Sequence, residues 1–425
     1  MLYAYYGDDF TGSTDVLETL ALAGVRAALF LASPTVDELA EFPGLQAVGV
    51  AGDSRSRSPE WMAENLHEIF LALKAFGAPV THYKTCSTFD SAPHIGSIGR
   101  AMELGIEVFG AGFVPIVVGA PHLGRYVVFG NLFATAGADV YRIDRHPTMS
   151  RHPVTPMLEA DLRRHLALQT ELPISLVDLR DLTLGDRTGA VLFDTYDEAS
   201  LMAVGELIWE RAQQEPLFAV GSSGLTESLI PAWQRDGLIG DARVASGAAA
   251  AEQIVVLSGS CSPVTQAQIE WALSHGFDGV GIDAEALIAD SVGPLDRTLD
   301  LLAAGKSPVL YTALGPLGAG DRPHDAGLGV AMGELLREIL VRSTVRRVVL
   351  CGGDTSSHAM QQLPIRALTW AAAMARGAPL CRAHATGTAF HNVEFVLKGG
   401  QVGAVDFLGL VRRGCPMGSG RDGKA

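Results

Sequence analysis

Residues 2–15 read Leu-Tyr-Ala-Tyr-Tyr-Gly-Asp-Asp-Phe-Thr-Gly-Ser-Thr-Asp, and this stretch sets the pattern for the whole chain. Its opening part, Leu2–Tyr6, is a short apolar run of the kind that forms a strand buried on both faces. A turn with two glycines follows and leads into a helical segment. Short apolar runs alternate with helical stretches along the rest of the chain. This alternation predicts an α/β fold with mostly parallel sheets flanked by helices.

The length and one bland stretch predict the domain organisation. A chain of 425 residues suggests two or three domains at about 150 residues each. Small residues fill Gly240–Glu252, and a new apolar run begins at Ile254. We therefore predict an N-terminal domain over residues 1–245 and a C-terminal domain over residues 250–410. The sequence of residues 411–425 predicts a flexible tail.

Composition and charge exclude several classes of protein. The 32 basic and 47 acidic side chains give a net charge of −15, which argues against a dedicated nucleic-acid-binding protein. No apolar run has the length of a transmembrane helix, and the first residues lack the basic segment of a secretory signal. The five cysteines are odd in number and far apart, which disfavours a disulfide framework or a structural zinc site. The sequence predicts a reduced, cytoplasmic protein that binds neither nucleic acid nor a membrane.

Three polar turns follow predicted strands in the first half of the chain, where open α/β sheets bind ligands. In the first turn, one of Asp8 and Asp9 can face a ligand while the other caps the next helix, and a plain helix cap is the alternative. In the second, Arg55 and Arg57 on a hydroxyl-rich turn suit a bidentate grip on a carboxylate or phosphate, and a solvated loop is the alternative. The third turn places Lys84 beside hydroxyl groups and predicts recognition of an anionic polyol. The three turns are Gly7–Asp15, Gly52–Pro59 and Lys84–Ser91.

A basic cluster with three arginines and two histidines lies between Arg142 and Pro156. In an acidic chain, such a cluster concentrates anions. Three interpretations stay open: a surface loop, a site for a substrate anion, and a metal site, although no carboxylate or thiol stands at ligand spacing. The Thr155-Pro156 pair predicts the start of a helix that runs to Gln169.

Two turns in the second half of the chain have the composition of phosphate-binding loops. Leu257–Pro263 and Val349–Ser357 each follow an apolar strand and lead into a helix. Glycine lets backbone N–H groups approach an anion closely, and a helix N-terminus adds partial positive charge. Ordinary turn chemistry is the alternative for each turn alone. Gly418–Gly423 and Gly305-Lys306-Ser307 imitate nucleotide loops, but neither is followed by the helix that such loops require.

Together these turns resemble the motifs of the four-carbon acid sugar kinases. The family's motifs are Asp-Asp-Phe/Leu-Thr-Gly, Ser-Arg, Lys-x-x-Ser-Thr, His-Pro-x-Thr-Pro-Met, Gly-Ser-x-Ser-Pro-Val-Thr and Gly-Gly-Asp-Thr-Ser. They occur here in the same order, at Asp8–Gly12, Ser54-Arg55, Lys84–Thr88, His152–Met157, Gly259–Thr265 and Gly352–Ser356. Two stretches depart from the family pattern: Ser357-His358, and Lys398–Gly403, where the family has Lys-Ser-Gly-Asn-Phe-Gly.

The resemblance implies an N-terminal acid-sugar domain, a C-terminal ATP domain and an active site in the interdomain cleft. It implies that ATP, with Mg²⁺, phosphorylates the terminal hydroxyl of threonate, erythronate or 3-oxo-tetronate. The implied substrate contacts are Asp9, Arg55, Lys84, Thr85, Cys86 and Ser87. The implied ATP contacts are Ser258, Ser260, Gly352, Gly353, Asp354, Thr355 and Gly400. We expect Asp9 to orient or deprotonate the attacking hydroxyl, with Asp354 as its rival, and we assign no residue as a metal ligand.

Other functions remain open at this point. One is a non-catalytic two-domain protein that binds a sugar acid and nucleotide, and another is a kinase for a different small hydroxy acid. An oxidoreductase is disfavoured because no dinucleotide-binding turn follows a strand. The sequence leaves open the identity and stereochemistry of the acid, and the oligomeric state, for which a homo-oligomer is one option.

Overall fold

The computed structural model describes residues 1–152, 154–240, 247–289, 291–315 and 326–415, except for the side chains of Ala326 and Asp354. The chain divides into two compact units. Unit 1 comprises Met1–Asp8, Thr19–Ala27 and Ser33–Ala242, and unit 2 comprises Asp9–Glu18, Ala28–Ala32 and Arg243–Ala425. Each unit contains a mostly parallel sheet and several helices, so the predicted α/β fold class is confirmed.

Strands and helices alternate through most of the chain. The strands are Tyr3–Gly7 (β1), Ala27–Phe30 (β2), Ala47–Ala51 (β3), Val80–Lys84 (β4), Phe113–Val117 (β5), Arg125–Val128 (β6), Asn131–Ala136 (β7), Asp139–Arg142 (β8), Ile174–Val177 (β9), Gly189–Phe193 (β10), Leu217–Gly221 (β11), Val255–Ser258 (β12), Asp278–Gly281 (β13), Pro308–Tyr311 (β14), Arg347–Cys351 (β15), Ala367–Ala375 (β16), Ala378–His384 (β17) and Glu394–Lys398 (β18). The helices are Phe10–Leu22 (α1), Val36–Ala40 (α2), Pro59–Ala75 (α3), Ile98–Phe109 (α4), Leu162–Leu166 (α5), Glu198–Ala212 (α6), Ser223–Arg235 (α7), Pro263–Ser274 (α8), Ala284–Ala289 (α9), Val292–Ala303 (α10), Ala326–Arg342 (α11), Gly353–Gln361 (α12) and Phe407–Arg413 (α13). Within the described ranges, every helix is too short or too polar to cross a bilayer.

Unit 1 is built on a parallel sheet with the strand order β3-β1-β4-β11-β5-β10-β9. Every residue of β1, β4, β5 and β11 is buried, as expected for the central strands of a parallel sheet. The Ser58-Pro59 pair starts α3: Ser58 accepts a hydrogen bond from Trp61 N, and Pro59 is the first helical residue. Its apolar side chains, among them Leu66 and Phe70, belong to the core of this unit.

Two parts of unit 1 differ from the sequence prediction. The apolar run Tyr126–Phe129 contributes to β6, which lies in a separate antiparallel sheet with the order β6-β7-β8 and not in a parallel sheet as the alternation predicts. The helix predicted from Thr155 to Gln169 is wrong, because only α5 is helical there and its cap is Asp161. Thr155 does not cap a helix because its hydroxyl donates to Asp90 and its backbone N–H donates to the side chain of His152.

Unit 2 has five parallel strands in the order β13-β14-β12-β15-β18. The sheet continues with antiparallel β17 and β16. Val256, Val349 and Val396 are fully buried on the neighbouring strands β12, β15 and β18 and belong to one apolar core. The parallel part therefore places the ends of β12, β15 and β18 side by side.

Two short segments of the N-terminal region group with unit 2, which the sequence does not predict. Leu29 and Phe30 of β2 pair antiparallel with Leu368 and Ala367 of β16. Glu18 of α1 accepts a hydrogen bond from Gly377 N at 2.9 Å, and burial raises the pKa of its carboxyl to about 8. These partners are far apart in sequence, so no local pattern could have indicated them.

The predicted flexible tail is wrong for residues 411–415. Val411 is fully buried in α13, and its carbonyl accepts a hydrogen bond from Arg347 Nη1 at 2.9 Å. Cys415 exchanges two backbone hydrogen bonds with Ala248. The arginines and glycine of this segment were misleading, because Val411 continues the buried apolar face that Phe407 and Leu408 form on α13. Residues 416–425, including the Gly418–Gly423 match, lie outside the described residues.

Candidate active site

The three polar turns predicted in the first half lie along one edge of the unit 1 sheet. Gly7, the last residue of β1, is in register with Ala51 of β3 and with Lys84 of β4. Backbone hydrogen bonds join the turns that follow: Asp8 N donates to Lys84 O at 2.9 Å, and Arg55 N donates to Asp8 O at 3.1 Å. The carboxyl edge of this sheet therefore brings together the Asp8, Arg55 and Lys84 turns, as the position of ligand sites in parallel sheets suggests.

Arg55 is held by a buried carboxylate. Its Nη2 donates to Asp90 Oδ2 at 2.6 Å, and the Asp90 side chain is fully buried, whereas that of Arg55 is 20% exposed. Thr88 and Thr155 also donate their hydroxyls to Asp90. Burial alone would raise the pKa of Asp90, but Arg55, His152 and these hydrogen bonds lower it to about 2. Asp90 is therefore a permanent counter-charge for Arg55 at neutral pH.

The basic cluster between Arg142 and Pro156 divides into two parts. His152 and Thr155 face Asp90, so they contribute to the network around Arg55. Arg142 instead forms a surface ion pair with Asp144. Within the described residues, no group of three His, Cys, Asp or Glu side chains is arranged to hold a metal ion.

The Lys84–Ser87 segment has an inner and an outer part. Lys84 and Thr85 are buried, and Thr85 N donates to Gly221 O at 2.7 Å. Cys86 and Ser87 are partly exposed. Thr88 Oγ1 lies 2.9 Å from Cys86 Sγ, which links this segment to Asp90. Of the four predicted substrate contacts here, Cys86 and Ser87 are the most accessible to a ligand.

In unit 2, the three segments predicted to bind ATP converge at the ends of β12, β15 and β18. A Cβ atom added to Gly259 would lie 2.2 Å from Thr355 Oγ1, and one added to Gly400 would lie 2.8 Å from Ser260 Oγ. Gly352 has a φ of 111°, which only glycine adopts readily, and a Cβ there would lie 3.5 Å from Ser260 N. The turns thus meet with little room for side chains, at the N-terminus of α12.

Asp9 belongs to unit 2, where it stands beside the Gly352-Gly353 turn. A Cβ atom on Gly353 would lie 3.3 Å from Asp9 Oδ2. Asp9 also caps α1, since its carboxylate accepts hydrogen bonds from Gly12 N and from Thr11 Oγ1. One residue therefore both caps α1 and lies beside the Gly352-Gly353 turn, whereas the sequence assigned the cap and the ligand contact to alternative aspartates. The side chain of Asp354, the rival base, lies outside the described part of the structure.

Both departures from the family pattern have structural roles. Ser357 Oγ accepts a hydrogen bond from Phe10 N at 3.1 Å and donates to Gly353 O at 2.9 Å, so it joins the start of α1 to the nucleotide turn. The loop that contains Val402 is held by Gln268, whose Nε2 donates to three successive carbonyls of residues 402–404. Ser357 and the loop that contains Val402 are thus both held by hydrogen bonds to neighbouring segments.

Two basic residues at these edges escaped the sequence analysis. Lys398, the last residue of β18, is fully buried and donates to Thr265 Oγ1 at 3.0 Å. Burial lowers the pKa of its ammonium group. Arg125 lies in unit 1 at the start of β6. Lys398 was noted only as the first residue of a family stretch and was given no role, and Arg125 stands outside every quoted motif.

Comparison with known proteins identifies the family. A model described as "Sugar-binding N-terminal domain" matches residues 3–229, and one described as "Nucleotide-binding C-terminal domain" matches residues 255–408. The chain belongs to the four-carbon acid sugar kinase family. It is accordingly a phosphotransferase of the sugar acid kinase class.

Named relatives and solved structures agree with this family. The chain is 43% identical to a 3-oxo-isoapionate kinase of Paraburkholderia graminis, over 97% of the chain and 94% of the relative. It is 31% identical to a 3-oxo-tetronate kinase of Methylobacterium radiotolerans, over 95% and 96%. A Salmonella typhimurium protein has the same fold, with a TM-score of 0.74, 23% identity and coverage of 96% and 97%. Protein HI1011 of Haemophilus influenzae also shares it, with a TM-score of 0.69, 22% identity and coverage of 96% and 99%.

We expect Gly259→Ala to weaken ADP binding by the kinase. The added methyl would lie 2.2 Å from Thr355 Oγ1, so the Ser258–Ser260 turn must move away from α12. Overpacking of this kind costs about 1–3 kcal/mol, which corresponds to roughly 5- to 150-fold in affinity if it falls on the bound state. Titration calorimetry of the full chain with ADP measures the effect.

Two further variants make the Gly259 result interpretable. Gly293→Ala is the matched control, because a methyl there meets no atom within 4 Å and should leave ADP affinity unchanged. Thr355→Ala removes the clashing hydroxyl, so in the double variant with Gly259→Ala the two losses of affinity should be less than additive. Wild-type ADP affinity in Gly259→Ala would show that this turn does not contact the nucleotide.

Proposed function

We propose that this kinase uses ATP to phosphorylate the terminal hydroxyl of a small 3-oxo sugar acid. The observation that carries the proposal is the convergence of the Ser258–Ser260, Gly352–Thr355 and Gly400 segments beside the Asp9 carboxylate. Backbone N–H groups at a helix N-terminus suit phosphate, and a carboxylate beside them suits a reacting hydroxyl. A phosphate-binding surface and a candidate base are the two components that a sugar kinase requires.

On the nucleotide side, α8 and α12 would supply the groups that bind the phosphates. α12 begins at Gly353, directly after the positive φ of Gly352, and α8 begins after the Ser262 cap. Phosphoryl transfer depends mainly on alignment of the reacting oxygens and neutralisation of the developing charge. The close packing of Gly259 against Thr355 supports a rigid arrangement of these two helix starts.

Asp9 would orient the attacking hydroxyl or accept its proton. Asp9 as a whole residue is 5% exposed, and its carboxylate accepts hydrogen bonds from Gly12 N and Thr11 Oγ1 that fix its orientation. Fixed orientation is what a positioned base needs in order to act over a hydrogen-bond distance. Asp354 remains the alternative base, because it follows Gly353 directly in the chain.

The residues present are compatible with Mg²⁺ held mainly by the nucleotide. Magnesium in kinases takes one or two carboxylates and completes its shell with phosphate oxygens and water. Asp9 lies beside the Gly353 turn, and Asp354 is next in sequence, so these two are the carboxylates that would hold the ion. The metal would neutralise charge on the transferred phosphoryl group. We propose that Asp9 acts either as a direct Mg²⁺ ligand or as the base. The Asp9→Asn variant, assayed at two magnesium concentrations, separates these two roles.

On the acid side, we propose contacts from Arg55, Lys84, Thr85, Cys86 and Ser87. These residues share the carboxyl edge of the unit 1 sheet. Their mixture of cations and hydroxyls complements a carboxylate that carries hydroxyl and carbonyl groups. A 3-oxo-isoapionate is favoured over a 3-oxo-tetronate because identity to the relative named for the former is 43%, against 31% for the latter.

An ADP-release assay tests the proposed reaction. The purified kinase is incubated with ATP and Mg²⁺ and with 3-oxo-isoapionate, 3-oxo-tetronate, threonate or erythronate in turn. We expect the highest kcat/KM for 3-oxo-isoapionate, lower turnover of 3-oxo-tetronate, and the least with threonate and erythronate. Mass spectrometry of the product should show one added phosphate on the acid.

Two results would contradict parts of the proposal. A higher kcat/KM for threonate or 3-oxo-tetronate would replace the proposed acid while leaving the kinase assignment intact. Saturable calorimetric binding of the acid and of ADP without any ADP release would favour the non-catalytic alternative.

A further inference from the structure

Arg125 lies at the same sheet edge as the proposed acid contacts. It exchanges two backbone hydrogen bonds with Ala120, at 2.9 and 3.2 Å, in the loop that follows β5. The register of the sheet aligns the end of β5, Val117, with Gly221, and aligns Gly221 with Lys84. Ala120, the residue that pairs with Arg125, lies three residues beyond Val117, so Arg125 is anchored just past the carboxyl end of β5.

No carboxylate in the described part of the chain pairs with Arg125. Within the described residues its guanidinium forms no ion pair: Nη1 donates to the carbonyls of Leu123 and Gly124, at 2.8 and 3.2 Å. Its Nε is buried and has no hydrogen-bond partner there. The residue as a whole is partly exposed, so a small ligand can reach part of the guanidinium. Arg55, in contrast, is paired with the fully buried carboxylate of Asp90.

A partly buried cation without a counter-charge is unfavourable unless a ligand supplies the missing anion. Buried charges in proteins are usually paired, because removal from water costs several kcal/mol per ion. Burial indeed lowers the pKa of the Arg125 guanidinium, which reports this cost. Perturbed groups of this kind cluster at functional sites. The uncompensated charge of Arg125 is therefore a sign of an anion-binding position.

Two neighbours locate this positive charge relative to the substrate contacts. Arg125 is close enough to Cys86, one of the accessible acid contacts, for the two groups to interact electrostatically. Its charge also reaches His146, where burial and then Arg125 lower the pKa of the imidazole. Both neighbours are in unit 1, so the field of Arg125 covers the turn after β4 and part of the basic cluster.

We propose that Arg125 binds the carboxylate of the acid substrate and thereby makes the kinase select acids over neutral ketoses. This inference rests on the proposed function and deepens it by naming the specificity-determining residue. Arg55, whose charge Asp90 already balances, would then orient the polar groups of the substrate and contribute little to the selection for negative charge. A guanidinium is suited to this role because it can hold both carboxylate oxygens at once.

The test compares two ketone substrates that differ only at the first carbon. Erythrulose of matching configuration is 3-oxo-tetronate with its carboxylate replaced by a hydroxymethyl group. In wild type we expect kcat/KM for the acid to exceed that for erythrulose, and in Arg125→Gln we expect this ratio to fall by roughly 10- to 150-fold, the worth of one charge-assisted bond. The ratio does not depend on the concentration of folded enzyme, so partial misfolding cannot produce the result.

Three further variants complete the experiment. Arg125→Lys keeps the charge without the planar fork and should give an intermediate ratio. Arg55→Gln should change the ratio far less than Arg125→Gln does. Arg100→Gln is the matched control, since Arg100 forms a surface pair with Glu103 in the same unit and should leave the ratio unchanged.

The outcomes separate the two proposals. A wild-type ratio in both Arg125 variants overturns the role of Arg125, and a ratio that collapses in Arg55→Gln alone assigns the carboxylate to Arg55. If wild type phosphorylates neither compound, the proposed function fails for this substrate. Calorimetric binding of 3-oxo-tetronate and erythrulose then decides on Arg125 alone, because the same loss of preference for the acid is expected in the Kd values.

Discussion

Replacement of Asp9 by asparagine should lower kcat by roughly 10²- to 10⁴-fold, the usual contribution of a positioned general acid or base. The carboxylate stands beside Gly353 at the start of α12 and is fixed in place by Gly12 N and Thr11 Oγ1. Asparagine keeps the size of the side chain and retains one acceptor oxygen for the cap, but it cannot take a proton. Steady-state kinetics with ATP and the preferred acid measure kcat, and calorimetry measures ADP affinity, which should stay near the wild-type value.

Other roles of Asp9 predict different results. If Asp9 only caps α1, both kcat and the free energy of unfolding should remain near wild type in Asp9→Asn, because Asn caps helices about as well as Asp. If Asp9 is chiefly a Mg²⁺ ligand, a higher magnesium concentration should restore part of the lost rate. If Asp354 is the base, Asp354→Asn should lose more kcat than Asp9→Asn. Asp15→Asn removes a carboxylate from the same helix away from Gly353 and should keep its rate.

The strand-end turns were predictable because each depends on local sequence. A short apolar run, a glycine turn and a capped helix follow one another in the chain, and the register of a parallel sheet then aligns their ends. Local sequence was therefore sufficient to predict polar turns at the ends of β1, β3 and β4. In unit 2 the same logic applied to the turns after Ser258 and Cys351.

Features that depend on partners distant in sequence were not predictable. Asp9 approaches Gly353 because Ser357 accepts a hydrogen bond from Phe10 N, and nothing near Asp9 in sequence indicates it. The alanine-rich strand β16 has a composition that favours helices, and only pairing with β17 and β2 makes it a strand. Thr155 has the sequence of a helix cap, but the buried Asp90 takes its hydroxyl.

The significance of Arg125 could not be read from the sequence either, for an electrostatic reason. A sequence shows how many charges a chain carries but does not show which of them are neutralised in the fold. Arg55 has a resemblance to a family motif in its favour, yet Asp90 balances its charge. Arg125 stands outside every motif quoted above, yet the described residues leave its charge unbalanced. The difference that matters for binding an anion is that Arg55 has an ion-pair partner in the fold, whereas no such partner is found for Arg125 among the described residues.

Asp90→Asn should be strongly destabilising, with a loss of about 3–5 kcal/mol in the free energy of unfolding, the typical result of removing one partner from a buried ion pair. The Asp90 side chain is fully buried and accepts hydrogen bonds from Arg55, Thr88 and Thr155. Asparagine has the same shape but leaves Arg55 without its counter-charge. For a unit of this size, each kcal/mol lowers Tm by about 2–4 °C, so a decrease of roughly 6–20 °C is expected. Calorimetry or thermal unfolding followed by circular dichroism measures it.

The pH dependence of that loss identifies its electrostatic origin. The pKa of Asp90 is lowered to about 2 in the fold, so its ionised form stabilises the native state above the unfolded pKa of about 3.8. This contribution disappears as the pH falls from about 4 towards 2, because the carboxylate is then protonated in both states. The stability difference between wild type and Asp90→Asn should therefore be constant above pH 5 and shrink below pH 4. Glu103→Gln, which breaks the surface pair with Arg100, should cost under about 1 kcal/mol. If Asp90→Asn costs as little as Glu103→Gln and its effect does not change with pH, the Arg55–Asp90 ion pair does not stabilise unit 1.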